Sequence, residues 1–169
     1  MTAMGAMMWI AASPVIAMYA VFINEVLLGL FPLRGDAVLP GKNIRTIVMI
    51  PAHNEASGIA GTLERLRSVL PSAADILVVA DNCSDETAET ARASGFEVVE
   101  RSDPARRGKG FALDYGRAHL ANSPPDCVMI LDADCIPDAG TIERLAAAAL
   151  RHGRPVQAVN LMRAGPDAG

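Results

Sequence analysis

The chain has 169 residues, a formal net charge of −4 and a pI near 5.3, which gives no overall basic surface for nucleic acid. Three cysteines, Cys83, Cys127 and Cys135, are an odd number without a CxxC pair. They argue against a disulfide framework and read better as small apolar fillers than as metal ligands.

From Ala3 to Asn24 no residue is charged, and "VLLGLF" follows Glu25. About twenty apolar residues suffice for a membrane-crossing helix, which also tolerates a kink at Pro14. A cleaved signal peptide would want a basic start and a shorter apolar core. A buried core helix is seldom apolar on every face in a domain of this size. Residues 1–33 are therefore expected to form a membrane segment, with Trp9 and Tyr19 as interfacial anchors. Arg34, Lys42 and Arg45 follow it and no basic side chain precedes it, which points to a single-pass inner-membrane protein with its bulk in the cytoplasm. Residues 34–43 read as a Pro/Gly-bearing linker, and 44–169 as the soluble part.

In the soluble part strands and helices alternate. "IRTIVMI" is a first strand, ended by Pro51, and the stripe Ile59, Leu63, Leu66, Leu70 predicts a helix. "DILVVA" is a second strand. A helix follows over residues 85–94, with Ser84 as N-cap and Gly95 as stop. "FEVVE" is a third strand, 111–121 a helix, and "CVMIL" a fourth strand. A helix over 141–153, with Arg151 and His152 at its end, precedes a fifth strand, "PVQAVNL". This order predicts an α/β fold with a mainly parallel sheet covered by helices. The first, second and fourth strands read as buried on both faces.

Ligands of such sheets bind beyond the carboxyl ends of the strands. Four polar loops fall there: "PAHNE", "ADNCSDET", "DPARRGKG" and "DADC". Strand periodicity would put Asp132 and Asp134 on one side, suited to a hard divalent cation whose other positions a phosphate fills. Alone, D-x-D also occurs in many surface turns. "RRGKG" suits phosphate oxygens, or is simply a solvated basic turn; its spacing is not that of a P-loop. Asp81 is an acceptor for a base or ribose, or a cap of the next turn. His53 reads as a pocket wall rather than a general base, and His119 and His152 as helix-surface residues.

Taken together, "VMIPAHNEASGI", "VVADNCSDETAETA", "RRGKGFALDYG" and "MILDADCIPD" strongly resemble the family 2 glycosyltransferases, which include cellulose and hyaluronan synthases. The resemblance covers roughly residues 44–138 and implies a nucleotide-diphospho-sugar fold of the glycosyltransferase-A, Rossmann-like type. It implies sugar transfer from a nucleotide donor to a lipid or polysaccharide acceptor in cell-surface synthesis, with Mg²⁺ or Mn²⁺. By matching position, Pro51, Ala52, His53 and Glu55 would form the first nucleotide-binding loop and Asp81 would contact the base. Lys109, with Gly110, would meet the diphosphate, Asp132 would lie on the sugar or ribose side, and Asp134, with Asp132, would bind the metal. The family's acidic general base and Q-x-x-R-W motif have no match. Glu143 and Asp167 are poor substitutes, so the donor half is expected without the acceptor half and no catalytic base is assigned.

Three other readings compete. A haloacid-dehalogenase-type phosphatase carries D-x-D on its first strand, not its fourth, and Ile136 breaks the continuation. A nucleotidyltransferase would have a Gly-rich loop where "PAHNE" stands. A non-catalytic nucleotide-sugar-binding remnant fits the donor half alone.

Overall fold

In the computed structural model, residues 3–30, 43–71 and 74–158 are described, with side-chain surroundings from residue 12 onward. The chain divides into two compact units, Met1–Ala37 and Val38–Gly169. The first holds one long helix, α1 (Ala3–Gly29), with Pro14 inside it. Its window Ala12–Gly29 has a mean hydropathy of 1.6 and is long and apolar enough to cross a membrane. None of that window is buried, unlike the core helix of a soluble domain. Tyr19 is exposed, whereas the side chain of Trp9 and residues 34–42, with Arg34 and Lys42, lie outside the described residues.

The second unit runs β1 (Thr46–Ala52), α2 (Ile59–Val69), β2 (Ala74–Asp81), α3 (Thr87–Ala93), β3 (Glu97–Arg101), α4 (Lys109–Leu120), β4 (Cys127–Ile130) and α5 (Thr141–His152). The strands form a parallel sheet in the order β3-β2-β1-β4. Alternation along β1 and β2 divides the core. Val48, Ile50, Ile76 and Val78 meet Ile59, Leu63 and Leu66 of α2, Ala91 of α3 and Ile142 of α5. On the other face Ile47, Met49, Leu77 and Val79 meet Ala112 and Leu120 of α4. Gly116 lets α4 lie close to the sheet, because a Cβ there would stand 2.8 Å from Met49 Sδ and 2.9 Å from Val79 Cγ2.

Several sequence expectations need correction. Pro51 does not end β1 but pairs with Val79 inside it. The ladder to β4 stops at Met49↔Ile130, so Pro51 needs no donor on that side. Among the described residues β4 is an edge strand, and it is not buried on both faces. Its Val128 and Ile130 are 43% and 52% exposed, because α4 packs over β1 and β2 and does not reach them. Ser84 caps no helix; α3 starts at Thr87, whose backbone N–H is met by Asp85 Oδ1 at 3.1 Å. The described part of the expected fifth strand, residues 155–158, is not a strand, and residues 159–161 lie outside the described residues, as does Asp167.

Candidate functional site

At the carboxyl edge of the sheet a cleft of about 430 Å³ opens between the loops that follow β1, β2 and β4 and the start of α4. Pro51, Ala52, His53 and Glu55 line it from β1 and its loop, and Asp81 from the end of β2. Lys109, Asp132 and Asp134 line it from the opposite loops. Of the residues expected at a donor site, only Gly110 is not among the lining groups, being one step further into α4.

The first loop is held to the second by polar contacts. His53 Nδ1 donates to the Asp81 carbonyl at 2.7 Å, which turns the ring into a wall of the cleft. Asn54, at φ 56°, accepts the Ser84 N–H at 2.8 Å, so Ser84 serves the loop rather than a helix. Asp85 accepts from the Ala56 N–H at 3.1 Å and from Thr87. Those bonds, led by the one from the Thr87 hydroxyl, hold its carboxyl below the ordinary value of 3.8.

Asp81 is nearly buried, at 6% exposure. Its Oδ1 accepts from Arg101 Nη1 at 2.6 Å and from Asn82 Nδ2 at 3.1 Å. A carboxylate in this position would be costly unpaired, and Arg101 supplies the charge. Asn82, at φ 52°, lines the cleft and binds the Asp103 N–H through Oδ1 at 2.7 Å. Arg107 of the "RRGKG" segment also lines the cleft, whereas sequence reasoning gave no role to Asn82 or Arg101. The one legible signal was Asn directly after a strand, since Asn tolerates the left-handed turn.

α4 begins at Lys109, two residues earlier than expected, because Gly108 takes φ 121° and its carbonyl accepts the Phe111 N–H at 3.0 Å. The first N–H groups of a helix have no intrahelical acceptor, so Lys109 and Gly110 present backbone donors as well as an ammonium. No side chain caps this end. Across the cleft, Lys109 Nζ pairs with Asp132 Oδ1.

The acids of "DAD" lie beyond β4 and not on it. The last sheet bond is Leu131 N–H to the Met49 carbonyl, and the chain then turns, with the Cys135 N–H meeting the Asp132 carbonyl at 3.0 Å. Strand periodicity therefore does not aim these carboxylates; the turn brings both to the cleft. Burial first, then the hydrogen bond and charge of Asp134, push the Cys135 thiol up. Among the described residues no group of three or more His, Cys, Asp or Glu side chains is placed to hold a metal ion. Asp132 and Asp134, which both line the cleft, could offer a cation two carboxylates. That suits Mg²⁺ or Mn²⁺ completed by phosphate oxygens and water, and not an all-protein cage. Glu143 sits in the first turn of α5 and does not line the cleft.

Residues 47–168 match the glycosyl transferase family 2 domain, which is most of the chain. The chain belongs to glycosyl transferase family 2. Glucosyl-3-phosphoglycerate synthase of Mycobacterium tuberculosis is 37% identical over 107 residues, covering 60% of this chain and 32% of that protein. A solved mycobacterial protein superposes with a TM-score of 0.51 at 27% identity, over 64% of this chain and 37% of that one. A structure of the M. tuberculosis synthase with Mn²⁺, UDP-glucose and phosphoglyceric acid is 31% identical, with a TM-score of 0.46, over 55% of this chain and 34% of that one. The chain spans about a third of the length of the synthase it matches.

Proposed function

We propose that this family 2 chain binds a nucleotide-diphospho-sugar in the cleft and serves a glycosyltransferase. The convergence of Asp81, Lys109, Asp132 and Asp134 on one cleft carries this reading. Asp81 offers an acceptor at the nucleoside end, and Lys109 with the start of α4 offers cationic and N–H donors to a diphosphate. Asp134, with Asp132, would hold Mg²⁺ or Mn²⁺, which when bound would stabilise negative charge on the leaving diphosphate. In the transfer itself an acceptor oxygen bonds to the anomeric carbon, the bond from that carbon to the diphosphate oxygen breaks, and the acceptor loses a proton.

The apolar α1 supports an inner-membrane, single-pass placement, and the basic residues after it support a cytoplasmic catalytic unit. A membrane-borne lipid or polysaccharide acceptor fits that placement, whereas the M. tuberculosis relative is named for a phosphoglycerate product. Equilibrium binding of radiolabelled nucleotide sugars to the purified chain tests the proposal. Saturable retention that UDP displaces is expected, and retention of none of them would overturn it.

A further inference from the structure

We propose that Arg101 is a positioning residue that makes the nucleoside end and the diphosphate end of the cleft one unit. The inference rests on the donor-site reading above and concerns a residue that does not itself line the cleft. Arg101 ends β3, and its side chain is 10% exposed. Nη1 donates to Asp81 Oδ1 at 2.6 Å and to the Arg106 carbonyl at 2.8 Å. Nη2 donates to Asp103 Oδ2 at 3.1 Å. The guanidinium carbon lies 5.5 Å from the centre of the Phe111 ring, two residues beyond Lys109 in the first turn of α4.

One planar cation therefore touches the carboxylate that faces the nucleoside and both sides of the Arg107–Gly108–Lys109 segment that faces the diphosphate. The backbone of Arg101 repeats the link, since its carbonyl accepts the Asn82 N–H at 2.7 Å. The loop is also tied to the end of β2 by the Asp103 N–H on Asn82 Oδ1 at 2.7 Å and turned by the Arg106 N–H on the Asp103 carbonyl at 3.1 Å. The Arg101 side chain adds the link that reaches both Asp81 and the two ends of the basic segment. A lysine cannot do this. Its ammonium is a point charge on a flexible stem, without the fork that spans two acceptors or the plane that stacks on a ring.

A residue that only neutralised a buried acid would affect stability, and at most the nucleoside end. A residue that positions both ends affects ligands that touch only one of them. The full-length chain is therefore titrated with uridine, with inorganic pyrophosphate plus Mn²⁺, and with UDP plus Mn²⁺, as wild type, Arg101→Lys and Lys109→Ala. Arg101→Lys is expected to weaken uridine and pyrophosphate each by about tenfold, the scale of a lost charged hydrogen bond. Lys109→Ala is expected to weaken only the two phosphate-bearing ligands. If Arg101→Lys does not fold, Asp103→Asn carries the same test, because it removes the charge of one anchor of the guanidinium and leaves every cleft-lining residue in place. It should weaken both partial ligands by a smaller factor. Loss confined to uridine, or a lower melting temperature with both affinities unchanged, overturns the positioning role alone. A wild-type chain that binds neither uridine nor UDP overturns the donor site first, and this role with it.

Discussion

Lys109 and Asp132 form an ion pair across the mouth of the cleft, with their side chains 51% and 55% exposed. Exposed pairs of this kind contribute about 0–1 kcal/mol, whereas a charge-assisted bond to a phosphate is worth roughly 1.5–3 kcal/mol. The pair is thus cheap to exchange. On the proposed function an arriving diphosphate would take Lys109 and leave Asp132 to a cation.

The first prediction follows from that exchange. Lys109→Ala should weaken UDP binding by roughly 1.5–3 kcal/mol and leave uridine binding unchanged, as calorimetry with each ligand would report. Equal weakening of both would mean that the basic segment is only a solvated turn.

Acid should loosen the first loop through Asp85. Its folded pKa lies below the ordinary 3.8, so its stabilising contribution is fully present above that value and is lost as pH falls through the folded pKa. Asp85→Ala should therefore lower stability at neutral pH, and its difference from wild type in urea unfolding should shrink in strong acid. A difference that grows on acidification would reverse the sign and refute the assignment.

Packing of α4 on the sheet depends on the missing side chain of Gly116. Gly116→Val would press branched methyls against Met49 and Val79, an overpacking that costs about 1–3 kcal/mol. Denaturant unfolding should show that loss. A variant as stable as wild type would mean that α4 shifts outward freely.

Much of this was legible in the sequence, for physical reasons that differ by element. β1 and β2 are continuous apolar runs because both faces are buried, and the apolar stripe of α2 reads directly as its core face. "CVMIL" is as apolar, yet among the described residues β4 is an edge with Val128 and Ile130 exposed, because neither strand order nor coverage by a helix is a local property. The cleft residues were legible as polar loops at strand ends. Arg101 was not, since its partner Asp81 is 20 positions away and nothing local marks the pairing. The turn that aims Asp132 and Asp134 was hidden for a similar reason, being set by where the β1 ladder stops.

Membrane placement gives a further prediction. The chain should remain with membranes after alkaline carbonate extraction, and a reporter fused after Gly169 should be active in the cytoplasm. A fusion active only outside the cytoplasm would overturn the orientation.

The central claim is that the cleft takes a nucleoside diphosphate together with a divalent cation held by Asp134. Calorimetric titration of UDP into the purified chain, with Mn²⁺ and again with EDTA, tests it most directly, for wild type and Asp134→Asn. Loss of one anionic ligand of a hard cation should cost several kcal/mol at most. Wild type should bind UDP more tightly with Mn²⁺ than with EDTA, and Asp134→Asn should fall to the EDTA level in both. Equal wild-type affinity with and without EDTA would contradict the account.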